Sequence, residues 1–145
     1  MATLQDYAKL SAYVYGGAGR PPLPPGWTPV LKADGSPLAR SGDSGYYGAV
    51  FHNRATGEFA LISRGASLVE GGDWRAIWAL RDGQVPKAQL AEAEALLKDA
   101  TELGISQASI SFGGHSLGGS LSQLLSATYR LPAITINAYP VKRVL

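Results

Sequence analysis

Gly114-His115-Ser116-Leu117-Gly118 places a serine between glycines two residues away on either side. Gly119 follows at once, and the motif lies between a β-prone run, Ala108-Ser109-Ile110-Ser111-Phe112, and an apolar helical stretch through Leu121, Leu124, Leu125 and Thr128. G-x-S-x-G with a strand before it and a helix after it describes a tight turn that holds a serine hydroxyl clear of a sheet. The spacing follows from the chemistry. The serine sits in a strained backbone conformation, and side chains two residues to either side would collide, so glycines stand there. The helix beyond supplies a partial positive charge and free backbone N–H groups, of which that of Leu117 can donate to an oxyanion. Ser116 is therefore the candidate nucleophile. The bland alternative is a Gly-rich turn with an incidental serine; strand, doubled glycines and apolar helix together favour the nucleophile.

The rest of the chain divides into short periodic segments. Thr3 followed by Asp6 resembles a capping box, and Leu4, Tyr7, Ala8, Ser11 and Val14 keep helical spacing, which predicts a helix over about Leu4 to Tyr15. Residues 16–26, rich in Gly and Pro, read as a loop. Its glycines make a poor phosphate cradle, because no Lys-Ser/Thr follows. Tyr46–His52 and Glu58–Ser63 are β-prone, and Asn53-Arg54-Ala55-Thr56-Gly57 has the length of a hairpin loop. Trp74, Ile77, Trp78 and Arg81 share one side of a short helix. Leu90, Ala93, Leu97 and Ala100 mark an apolar stripe on a second helix that begins near Pro86 and ends at Gly104. Glu94 and Lys98, four apart on it, read as a solvated face. Ala133–Asn137 is a further strand. Strands alternating with helices in the second half predict an α/β fold with a mostly parallel sheet and an antiparallel hairpin at its start.

Composition removes several classes of function. With 46% hydrophobic and 17% charged residues, the 145-residue chain should bury a core rather than stay disordered. A net charge of +2 with interspersed signs leaves no footprint for nucleic acid. The absence of cysteine excludes disulfides, thiolate metal sites and thiol nucleophiles. No acidic loop has calcium-site spacing and no His pair has zinc spacing, so neither metal nor cofactor is expected. No basic, apolar leader or membrane-spanning run is present. The expected location is cytoplasmic, or outside the cell by a route that needs no signal peptide. Trp74 and Trp78 are most economically core residues, with contact to a lipid chain as the alternative.

On these residues the chain resembles the class 3 lipases of the α/β-hydrolase superfamily. Gly114-His115-Ser116-Leu117-Gly118-Gly119 is similar to that family's nucleophile elbow, and Ala60-Leu61-Ile62-Ser63-Arg64-Gly65-Ala66-Ser67 to its apolar strand ending in Arg-Gly-Thr/Ser. Asp73-Trp74 and Ile134-Thr135-Ile136-Asn137-Ala138 also find counterparts, over roughly residues 46–142. The resemblance implies a second oxyanion donor at Ala66. The family usually carries Thr or Ser there, so the backbone N–H is kept and the hydroxyl lost, with Ser67 as a possible substitute. Losing one oxyanion donor costs on the order of 3 kcal/mol of transition-state stabilisation. The implied substrate is a lipid ester, of triacylglycerol or phospholipid type, with transient contact at a membrane surface.

A serine hydroxyl needs a base, and α/β-hydrolases supply an acid and then a histidine after the serine. Residues 117–145 contain no Asp, Glu or His. Of the two histidines, His115 adjoins the nucleophile in a turn that directs its ring away from the hydroxyl, and His52 falls on a strand ahead of a hairpin turn. Three readings are open. The acid and base lie on a continuation or a second chain; or the elbow survives as architecture in a non-catalytic module that binds protein or lipid; or upstream groups improvise the triad. The resemblance favours the first, with residues 1–145 as the N-terminal part of one lipase-like α/β-hydrolase domain whose sheet ends one strand after the elbow. An apolar edge strand at Ala133–Asn137 would invite pairing with another segment, so the chain is not expected to be self-sufficient.

Overall fold

The computed structural model describes residues 3–15, 20–42, 44–64, 87–115 and 117–136. They form an α/β fold: a six-stranded mixed sheet with helices on both faces. The first helix, α1 (Leu4–Tyr13), starts on the expected capping box, Thr3 accepting from the Asp6 N–H and Asp6 accepting from the Thr3 N–H, both at 3.1 Å. It ends two residues earlier than its periodicity predicts, with Val14 as C-cap.

Two short strands, β1 (Trp27–Pro29) and β2 (Ala39–Ser41), lie one after the other along the same edge of β3 (Tyr47–Asn53), both antiparallel to it. The chain between them turns back at Asp34-Gly35. There Gly35 has φ +85° and the Asp34 carboxylate accepts from the Ser36 N–H at 2.9 Å. The expected hairpin forms between β3 and β4 (Phe59–Ser63). Helix α2 (Lys87–Glu102) then carries the chain back to β5 (Ile110–His115), which pairs parallel with β4. Helix α3 (Leu117–Tyr129) returns it to β6 (Ala133–Ile136), parallel to β5.

The expectation of a mostly parallel sheet is thus corrected. Among the described residues, three of the five strand pairings are antiparallel, and only β4–β5 and β5–β6 are parallel. The physical reason is length of connection: the parallel neighbours are joined through helices, whereas β3 is reached and left by turns short enough only for antiparallel pairing. Strand β5 is also displaced from its expected start. Gln107–Ser109 form a 3-10 turn closed by the Ser109 N–H and hydroxyl on the Ser106 carbonyl, at 3.0 and 2.6 Å. The strand then runs to His115.

Alternation divides the core in two. Val50, Leu61, Ile110 and Phe112 face α2 and α3, packing on Ala93, Leu96, Leu97, Ala100, Leu121 and Leu125. Ala49, Phe51, Ala60 and Ile62 face α1, meeting Tyr7, Leu10 and Val14 with Trp27. Burial on both faces accounts for the near-continuous apolar runs of β3 and β4. Arg40 on β2 clamps α2 through Glu92 at 2.8 Å and Asp99 at 3.3 Å. These side chains are partly exposed, so the pairs orient the helix more than they stabilise it. The reading of Glu94 and Lys98 as a solvated face holds for the exposed Lys98 and is corrected for Glu94. Glu94 accepts from the Tyr129 hydroxyl of α3 at 2.5 Å, while Lys98 approaches Glu102 at 3.9 Å. The bond to Glu94, with a smaller contribution from burial, raises the Tyr129 hydroxyl to about 12.

Candidate active site

Strands β4 and β5 run parallel with Ser63 opposite Gly114, so their carboxyl ends finish side by side. That edge of an α/β sheet is where ligands bind. Strand β5 ends at His115 and α3 begins at Leu117, with one residue between them. This is the strand-to-helix context that G-x-S-x-G requires. Ser116 itself, and Ala66 and Ser67, lie outside the described residues, as do Asp73, Trp74 and Trp78. Leu117 is fully buried at the first position of α3. Its N–H belongs to the first turn, where the helix offers no internal acceptor and the dipole is positive.

Close approach explains the flanking glycines. A Cβ at Gly114 would lie 2.6 Å from the Gly118 carbonyl oxygen and 2.7 Å from that of Ser63. A Cβ at Gly118 would lie 2.7 Å from the Ser63 carbonyl carbon and 2.8 Å from that of Arg64. The start of α3 is therefore packed backbone to backbone on the end of β4. Ser122, one turn on, donates from its hydroxyl toward the carbonyls of Gly113 and Gly118, both at 2.9 Å, joining strand and helix beneath the turn.

The end of β4 is fixed from its other side. The Arg64 N–H donates to the Tyr47 carbonyl at 2.7 Å, and the Arg64 guanidinium donates to the Gly45 carbonyl at 3.3 Å and lies 5.5 Å from the Tyr47 ring centroid. Beneath it, the buried hydroxyls of Tyr46 and Ser63 are 3.0 Å apart. Burial pushes the Tyr46 hydroxyl well above the usual phenol range, and the Ser63 hydrogen bond opposes this only in part. Below pH about 10 the residue is neutral folded and unfolded. Above that the unfolded chain gives up a proton the folded chain keeps, so stability falls by up to about 1.4 kcal/mol per pH unit for this group. Tyr46→Phe is expected to flatten the decline of the urea midpoint between about pH 10 and 11.5, while costing about 1 kcal/mol at pH 7. An unchanged slope would exclude the assignment. Burial also raises the Tyr7 hydroxyl, so some slope persists in the variant.

The histidines separate cleanly. His52 pairs with Phe59 at the opposite end of β4 from Ser63, about 13 Å along the strand, with its ring stacked on Phe59 at 4.4 Å. That is a structural partnership away from the elbow. His115 is held by Tyr15, whose hydroxyl is 3.0 Å from Nδ1. A cleft of about 380 Å³ lined by Tyr7, Glu58, Ile110, Ser111 and Ile134 also lies at the amino ends of β4 and β5, and is not part of this site. Among the described residues no three His, Asp or Glu side chains cluster as metal ligands, and no helix is long and apolar enough to cross a membrane. Sequence reasoning missed Tyr15, Tyr46, Ser63 and Ser122. Tyr15, Tyr46 and Ser63 act through partners set by tertiary packing that no local spacing announces, whereas Ser122 also bonds the Gly118 carbonyl four residues back on its own helix.

Fold and site together define a layered α/β protein with a glycine-flanked strand-to-helix junction at the carboxyl edge of parallel strands. The family model of the Tle-like phospholipase domain matches residues 6–143, nearly the whole chain, and the chain belongs to that phospholipase-like family. The family points to a lipid-acting, phospholipase-type hydrolase. No curated protein matches the sequence.

Proposed function

We propose that the chain carries the nucleophile of a serine hydrolase acting on lipid carboxylic esters, with an elbow of the class 3 lipase type within the α/β-hydrolases. Ser116 Oγ attacks the acyl carbonyl carbon, and the N–H groups of Leu117 and Ala66 receive the oxyanion. The alcohol leaves with a proton from the catalytic base, and water then hydrolyses the acyl-enzyme. The observation that carries this reading is that β5 ends at His115 and α3 begins at Leu117, with Gly114 and Gly118 packed against the carboxyl end of β4. Acid and base come from sequence beyond Leu145 or from a second chain that also extends the sheet at β6. The lipid substrate is met at a membrane surface.

The test is labelling of the full natural protein by a fluorophosphonate. Adduct on the peptide containing Ser116, lost in Ser116→Ala, is expected; a folded protein that takes no label would overturn the reading. A second reading, a lipase-like module that binds lipid or protein without turnover, draws on the lack of Asp, Glu and His in residues 117–145. It expects vesicle binding without label. Intact mass, with the identity of any co-purifying chain, shows whether an acid and a histidine are supplied.

A further inference from the structure

Helix α1 is laid along the elbow strand. Tyr7 and Tyr15 are eight residues apart, about 12 Å along a helical path, and Ser111 and His115 are four apart, about 13 Å along a strand. The two spans match, and both ends are joined. The Tyr7 hydroxyl bonds that of Ser111, and the Tyr15 hydroxyl bonds Nδ1 of His115 at 3.0 Å with the rings edge to face, 6.0 Å apart at 69°. Between them the Tyr7 ring lies over Gly113, where a Cβ would sit 2.8 Å from Tyr7 Cε1. Ser111, Gly113 and His115 are alternate residues and share the face that α1 covers. The helical path continues past α1 through Val14, and the Tyr15 N–H reaches the Ala12 carbonyl at 3.3 Å, so the Tyr15 backbone is held by the helix it follows.

We propose that Tyr15 is a positioning residue for Ser116, acting through the His115 ring. This rests on the reading of Ser116 as nucleophile. A side chain anchored at the last residue of β5 fixes the end of the strand to which residue 116 is joined. The Tyr15 hydroxyl and Nδ1 of His115 share this hydrogen bond, and the tautomer of the imidazole sets which of the two donates. His115 thereby serves as an anchor for the turn, which accounts for a histidine beside the nucleophile that is not needed as its base.

The experiment measures fluorophosphonate inactivation of the full protein, separating reversible binding from the maximal rate. Tyr15→Phe keeps the ring and removes the hydroxyl. It is expected to lower the maximal rate about three- to tenfold, with binding and the thermal midpoint unchanged. His115→Leu should do the same, and the double variant should be no slower than the slower single one. His115→Asn, whose Oδ1 can accept in place of Nδ1, should recover the wild-type rate. Wild-type speed in Tyr15→Phe, or His115→Asn as slow as His115→Leu, would overturn the proposal. A wild-type protein that takes no label would instead defeat the nucleophile reading and the proposal with it, so the wild-type arm tells the two failures apart.

Discussion

Gly118→Ala is expected to lower stability by about 2 kcal/mol or more and to slow labelling of Ser116 by about a hundredfold. Two effects oppose each other. Alanine in place of glycine inside a helix gains about 1 kcal/mol of propensity. Against it stands a Cβ that would lie 2.7 and 2.8 Å from the carbonyl carbons of Ser63 and Arg64 and still closer to the Ser63 oxygen. Carbon–carbon contacts settle at about 3.5–4.0 Å, so α3 and the end of β4 must separate by about 1 Å. No flexible side chain absorbs the strain, because the obstructing atoms are backbone, which puts the cost at or above the usual overpacking range of about 1–3 kcal/mol. Displacement by about 1 Å between a nucleophile and its oxyanion donors typically costs about a hundredfold in rate. Urea unfolding gives the first quantity and inactivation kinetics the second. A variant that is more stable than wild type and labels at the same speed would mean that the close packing of β4 on α3 is not real.

How much of this was legible in the sequence depends on the range over which each feature is decided. The β3–β4 hairpin, α2 and the strand-to-helix unit around the paired glycines are local patterns: β-prone runs around a five-residue loop, an apolar stripe ended by Gly104 at φ +103°, and glycines on both sides of one serine. The hairpin strands and α2 stand within a residue or two of where the sequence reading puts them, and β5 starts two residues later than expected. Strands β1 and β2 have three residues each, too few to show a period, and exist because the outer edge of β3 offers backbone partners to 47–49 and 51–53. Missing them made the sheet look mostly parallel. Glu94 was misread for a related reason. Four residues from Lys98 it looks like a surface pair, yet its hydrogen-bond partner is Tyr129, thirty-five residues away on the neighbouring helix. In the site, the motif names Ser116 and the first-turn N–H of Leu117. What braces them, Tyr46 on Ser63, Ser122 on Gly113 and Gly118, Tyr15 on His115, consists mainly of contacts distant along the chain.

Converting the amide between residues 116 and 117 to an ester, with the α-hydroxy analogue of leucine at position 117, is expected to slow acylation of Ser116 by about 10²- to 10³-fold under the proposed reaction. The side chain, fully buried at the first position of α3, is untouched. Only the N–H is lost, and in the first helical turn that N–H has no intrahelical acceptor to forfeit, so stability should change little. The same replacement at Leu121 sets the contrast. Its N–H falls inside the α3 ladder, four residues after Leu117, and its removal should cost about 1 kcal/mol in stability while leaving acylation nearly unchanged. The two sites thus exchange signatures: rate without stability at Leu117, stability without rate at Leu121. Proline cannot serve as the probe, although it also lacks the N–H and suits a first helical position, because it would restrict the backbone of residue 116 itself. Equal, small effects on rate at both positions would remove Leu117 from the oxyanion site and leave its N–H only the ordinary role of a helix start.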